Sequence, residues 1–491
     1  MRKITFTLLF LTMIFTAKSE NYFVSKKGND SNNGSYASPF LTIQAALNKA
    51  SRPGDSVLVR AGIYFEHLNF PHSGSVNEPI VVACYKDDLV RIDASKISPT
   101  QAIFVKIDAQ NHVIVRGFCF QNFRNRKVAS MGLAVIGPSE GVQLLDNKFM
   151  DFNPKDKKWG GLKGIAVFST RNQHVSNFRI TGNKFIRIAT GESEVVSLNG
   201  FIHDFEVSNN EVFDAATNPI LQVGGGYKIK DWVKGYDTDS MGVPSRAVFR
   251  NNYIHDNRNG HGTIGIYIDG GQDILIENNR IINNVVGIGI GCEEIRAKKS
   301  RNIVIRNNVL INNSNAIWTG NSPSAIRNRP PGAVDSIFIY NNTLVNGEGG
   351  LLRFENSAAS NIFVFNNIFW RQPDQAGGYM IKADNPDISN FILNYNFYYT
   401  GSASVPDVFF YGGRSYKTLS LFQSNTGNEA NGRWVDPLFE SPPFDIELKN
   451  GSPAIDAGIA LEKVPTDIKG VKRPSGLGTD IGAYEKNQSQ K

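Results

Sequence analysis

Three cysteines in 491 residues are too few and too scattered for a disulfide framework or a thiolate metal site. Cys84 and Cys119 stand in apolar stretches that read as strands, where a small buried thiol packs like any other hydrophobe. A large excess of one charge is missing too. Lys and Arg number 52 against 45 Asp and Glu, and taking away residues 1–19 removes Arg2, Lys3 and Lys18 to leave a net charge of +4. That is too little to draw the chain to nucleic acid. No stretch of ten or more residues keeps a 3.6-residue apolar period, which excludes the helical repeat architectures. The apolar run Ile4–Thr16 falls short of the roughly 20 residues that span a bilayer, and no other stretch could cross one. With Arg2 and Lys3 before it and Ala17-Lys18-Ser19 after it, that run reads as a secretory signal over residues 1–19. No cysteine lies near the cleavage site to carry a lipid. The mature chain is expected in the periplasm or outside the cell, without membrane insertion.

What the chain has in abundance is one short pattern, apolar-x-apolar-x-Asn-Asn. It reads FEVSNNEV from Phe205, AVFRNNYI from Ala247, ILIENNRI from Ile274, IVIRNNVL from Ile303, IFIYNNTL from Ile337 and IFVFNNIF from Ile362. Counting weaker copies, the last Asn falls at 147, 183, 210, 252, 279, 308, 342, 367 and 396. Steps in the twenties, lengthened where insertions intervene, mark a solenoid. A unit this short cannot fold alone, so each must stack on its neighbours to bury its inward Ile, Val and Phe. Asn suits the left-handed backbone of a tight turn, and stacked amides can hydrogen-bond along the stack. The fold class expected is all-β, a right-handed parallel β-helix solenoid with an N-terminal helical cap and a C-terminal cap. Residues 20–75 are expected to hold the N-terminal cap and first coils, with an amphipathic helix bearing Leu41, Ile43, Ala46 and Leu47 over the open end. The β-helix is expected over 76–430, and a Pro-rich C-terminal cap over 431–491.

Two insertions break the rhythm. NPKDKKWGGLKG (153–164) and GGGYKIKDWVKGYDTDSMGVPSR (224–246) mix lysines, among them Lys228 and Lys230, with Trp and Tyr. Loops leaving a rigid solenoid commonly line its binding face. Basic groups beside aromatic rings suit sugars that carry carboxylate or sulfate; solvated loops without function are the alternative.

The most site-like stretch is NGHGTIGIYIDGG followed by VVGIGIGCEE. Alternation puts Ile264, Ile266 and Ile268 inward and Tyr267 and Asp269 outward. In the next coil Gly289, Gly291 and Glu293 are expected outward, and Trp318 in the one after. Asp269 should stack over Gly291, with Glu293 two residues further on, a diagonal of roughly 7–8 Å between Cα atoms. Two carboxylates so placed are what glycoside hydrolysis needs, one to protonate the leaving oxygen and one to attack or activate water. Glu293, with the longer arm, is the expected general acid and Asp269 the nucleophile or base. Outward glycine would leave an open floor between Asp269 and the rings of Tyr267 and Trp318. An Asp-Gly turn and a solvated acidic pair are the structural alternative. His261, in NGHGT, is a candidate substrate contact.

YFVSKKGNDSNNGS, GDSVLVRAGIY, GIYIDGG and the closing GSPAIDAG…DIGAYE resemble secreted bacterial right-handed β-helix proteins active on polysaccharides. The fold is shared there by glycoside hydrolases and polysaccharide lyases. The Asp269 and Glu293 coils look most like the hydrolases, in which an Asp and a Glu on neighbouring coils form the catalytic pair. The chain departs in having Gln222, expected outward, where such proteins often carry GID, and GIG at Gly289 where they carry GIE. What the resemblance implies is a glycosidase acting on a polysaccharide or its oligosaccharides. The alternatives are β-elimination on a uronate, with Lys228, Lys230, Arg246 or Tyr267 as candidate groups, and a non-catalytic glycan-binding protein. No cofactor or metal is expected. Ca2+ is only weakly indicated, by Asp237 and Asp239 in DTDS.

Overall fold

The structure is a computed structural model. It describes residues 18–487 except 99–101, 125–129, 154–161, 171–172, 190–193, 216–217, 224–241, 259–262, 293–298, 321–331, 357, 373–377, 385–387 and 402–407, and does not describe the side chains of 221–223. Among the described residues the chain winds through three long sheets of 13, 15 and 13 strands. One coil shows the path. Ile264–Asp269 lies in the first sheet, Gln272–Glu277 in the second and Arg280–Ile282 in the third, before Val286–Gly291 returns to the first. Neighbouring coils pair in parallel, as Ile266 with Ile288 and Ile288 with Ile317. The expected parallel β-helix is what the chain forms.

The Asn repeat does two jobs on two residues. The residue before each ladder Asn takes the left-handed turn, with φ of 55° at Asn209, 57° at Asn278 and 58° at Tyr395. The Asn that follows is buried and bonds along the stack. Its Nδ2 donates to the next Asn Oδ1 at 2.9–3.1 Å without a break from Asn147 to Asn396. The series ends on a different residue. Asn396 Nδ2 donates to Glu429 Oε1 at 2.6 Å, and Tyr398 Oη donates to the same oxygen at 2.7 Å. Wholly buried among neutral donors, Glu429 has its carboxyl pushed up to about 7 by burial.

The helix Ile43–Lys49, capped by Thr42, buries Ile43, Ala46 and Leu47 against the first strands, while Leu41 precedes it and is exposed. At the far end the helix Leu419–Thr426 stacks Phe422 on Phe409, the rings 4.6 Å apart. The segment beyond it folds back along the third sheet. There Phe439, Ile446, Ile481 and Tyr484 pack on Ile311, Val345, Ile368 and Trp370.

Candidate functional site

The outward face of the first sheet follows two columns of register positions two residues apart along each strand. One runs Ser197, Leu221, Tyr267, Gly289, Trp318, Arg353, Lys382. The other runs Asn199, Val223, Asp269, Gly291 and then Gly320, Glu355 and Asp384, whose amides donate to Ile290, Thr319 and Phe354. The register of Asp269 over Gly291 is as expected. Gln222 stands elsewhere: it pairs between Leu198 and Ile268, both core residues, so its register position belongs to the inward column.

Two further expectations are corrected here. Ile264 is not in the main core; it packs outside with Tyr267 and Val286. The alternation fails at the strand's start because Gly265 takes the inward place, where a Cβ would stand 2.9 Å from Ile281. Nor is the floor beside Asp269 open. A Cβ on Gly289 would lie 2.9 Å from the Tyr267 ring, so the glycine is the seat of that ring. Tyr267 and Asp269 are outward yet buried, Asp269 being only 6% exposed. The Asp-Gly turn also has its structural work. Gly270, at φ 78°, and Ser300 are joined at 3.0 Å, and Ser300 Oγ donates to Gly291 O at 2.5 Å.

Arg246 lies on the second sheet, away from this face, where Asp204 holds it through Nε at 2.6 Å and Nη2 at 2.7 Å. That pairing keeps the Asp204 carboxyl down at about 2. Glu293, His261, Lys228, Lys230, Asp237 and Asp239 lie outside the described residues. Among the described residues no group of three or more His, Cys, Asp or Glu side chains could hold a metal ion, and no helix is long and apolar enough to cross a membrane.

Earlier on the face, Lys163 and Glu194 form a buried ion pair, with Ser197 Oγ donating to Glu194 at 3.1 Å and Asn199 to Ser197 at 2.8 Å. Later coils carry a more accessible cluster. Trp318 lies over Gly320 and donates from Nε1 to Glu355 Oε2 at 2.8 Å. Arg353 pairs with Glu355 and reaches toward Asp384 at 3.6 Å, and Lys382 pairs with Asp384 at 2.9 Å. Of these only Trp318 was singled out from the sequence. The signal was present, in R-x-E at 353–355 and K-x-D at 382–384, 29 residues apart like the ladder Asn at 367 and 396.

Residues 203–393 match the family model described as the right handed beta helix region. The fold is a right-handed parallel β-helix. A Bacillus subtilis (strain 168) protein described as uncharacterized protein YwoF is 26% identical over 443 residues, which covers 88% of this chain and 91% of that one. The crystal structure of a GH136 lacto-N-biosidase from Eubacterium ramulus superposes with a TM-score of 0.50 at 14% identity, covering 76% of this chain and 68% of that one. XylC in complex with xylose also gives 0.50, at 12% identity over 95% and 99% of the two chains. At such identities the likeness is one of fold.

Proposed function

We propose that this chain is an exported carbohydrate-active enzyme that hydrolyses glycosidic bonds of a polysaccharide or its oligosaccharides on the outward face of the first sheet. The observation that carries the reading is the column Asp269, Gly291, Gly320, Glu355, Asp384: three carboxylates on one face, the first two separated only by glycine, with Trp318 alongside. Paired carboxylates supply the acid and the nucleophile or base of glycoside hydrolysis, and an aromatic ring suits the apolar side of a sugar. Two proteins of the same fold, a lacto-N-biosidase and a xylose-bound XylC, handle sugars by name. The N-terminal apolar run supports export to the periplasm or medium. Asp269 with Glu293 is the pair put forward by the sequence.

A second reading, β-elimination on a uronate, draws on Arg353 and Lys382, cations on the same face that could hold a substrate carboxylate. The test is to incubate the purified protein with xylan, pectate, alginate and lacto-N-tetraose and to weigh the products by mass spectrometry. Hydrolysis adds one water per cut, whereas elimination leaves an unsaturated, ultraviolet-absorbing product. Binding to these glycans with no product would make the chain a glycan-binding protein instead.

A further inference from the structure

We infer that the working carboxylate pair of this face is Glu355 and Asp384, with Asp384 as nucleophile and Glu355 as general acid and base. The inference rests on the hydrolytic reading above and assigns its chemistry to residues that the sequence did not single out. Access is the first reason. The Glu355 and Asp384 side chains are 18% and 32% exposed, whereas Asp269 is almost closed off at 6%.

Geometry is the second. The two residues occupy the same column on adjacent strands, whose backbones lie about 4.8 Å apart, and both face one guanidinium, that of Arg353. Side chains rising from strands so close can bring their carboxyls to the separation of about 5–5.5 Å that retention needs. Asp269, three strands from Glu355, stands roughly 14 Å away along the column.

The third reason is that the cluster is not closed upon itself. Among the described residues, the inaccessible Arg353 Nε makes no hydrogen bond, and Asp384 Oδ2 stands 3.6 Å from it. A plain surface ion-pair ladder does not require the Trp318 N–H on Glu355, nor a glycine at 320 for the indole to lie over. Tyr379 and Phe410 flank Lys382 at the other end, giving aromatic surface on both sides of the carboxylates.

The roles follow from the partners. Asp384 faces two cations, Lys382 and Arg353, which hold its carboxylate in place on the face. Its carboxylate oxygen bonds to the anomeric carbon as the glycosidic C–O bond breaks, and Glu355 gives its proton to the departing oxygen. Water then adds to the anomeric carbon, returns a proton to Glu355 and frees Asp384, so the sugar leaves with retained configuration.

The experiment compares Glu355→Gln and Asp384→Asn with Asp269→Asn and Glu293→Gln on the four named glycans, with thermal melts of each variant. Expected is a fall in turnover of at least ~10²-fold for E355Q and D384N at a near-native melting temperature. Sodium azide should restore turnover to Asp384→Ala by forming a glycosyl azide, a rescue that a merely structural aspartate would not show. Near-normal turnover in E355Q and D384N, with loss in D269N or E293Q, overturns the inference in favour of the sequence pair and leaves the hydrolytic reading standing. An unsaturated product, or no product from wild type, removes that reading and the inference with it.

Discussion

Lys163 and Glu194 sit on the same outward face as Arg353 and Glu355, and both are ion pairs of long side chains. Their surroundings differ. Among the described residues, the coils from residue 130 to residue 269 bury what faces outward, from Met131, Ala134 and Phe168 through Lys163 and Asn199 to Tyr267 and Asp269. The later coils leave Trp318, Arg353, Glu355, Lys382 and Asp384 partly accessible. One sheet thus carries a closed half, where polar groups must satisfy one another, and a reachable half, where they can meet a ligand. The same alternation of strand residues builds both, so alternation alone does not reveal where chemistry is available.

The largest stability effect expected tests that contrast directly. Lys163→Met would remove the ammonium from the buried Glu194 carboxylate, and breaking a buried pair in this way costs about 3–5 kcal/mol. Arg353→Met removes an ion pair of comparable form from the accessible half, where solvent screens it, and should cost at most about 1 kcal/mol. Chemical denaturation of the two variants measures the difference. Equal losses would mean that the halves do not differ in the way their exposures indicate.

Glu429 sharpens the comparison from inside the molecule, since it is a buried carboxylate whose partners among the described residues, Asn396 and Tyr398, are neutral. Its folded value of about 7 stands above the ordinary 4.5 because burial penalises the charge. A carboxyl raised in the folded state contributes stability that is full below about 4.5 and is lost as pH climbs through about 7. The closed end of the ladder should therefore be more stable at pH 5 than at pH 8, by up to about 3 kcal/mol for a shift of this size. Glu429→Gln should flatten that dependence. Thermal melts across pH 5–8 decide it, and an unchanged slope in the variant would assign the dependence to other groups.

The fold was legible because its signal repeats. Nine asparagines at solenoid spacing all prove to be links in one hydrogen-bonded series, even Asn396, whose copy of the motif has Tyr395 in place of the first Asn. A second series, Asn257 to Asn284 to Asn313, recurs five residues after ladder positions 252, 279 and 308 and was equally open to reading. The site was less legible. Strict alternation misplaced Ile264, because two successive inward positions, Gly265 and Ile266, open that strand. It also could not distinguish outward from accessible, which depends on what else packs over a face. Tyr267 and Trp318 are both outward aromatic residues of one column, yet only Trp318 retains appreciable exposure.

Two glycines on the face turn this difference into the smallest of the expected effects. A Cβ on Gly289 would stand 2.9 Å from Tyr267 Cδ2 and 3.0 Å from Ile264 Cγ2, among neighbours that are themselves buried. Gly289→Ala should then behave as overpacking does, costing about 1–3 kcal/mol of stability. A Cβ on Gly320 would collide with the Trp318 ring, but that ring is partly exposed and can swing aside. Swinging aside gives up the N–H bond that positions Glu355. Gly320→Ala should accordingly cost less stability than Gly289→Ala while losing up to about 100-fold in turnover on whichever of the four glycans is cleaved, the scale of a misplaced catalytic group. Unfolding curves and initial rates on the two variants separate the cases. If Gly289→Ala lost activity and Gly320→Ala lost stability, the working half of the face would be the closed one.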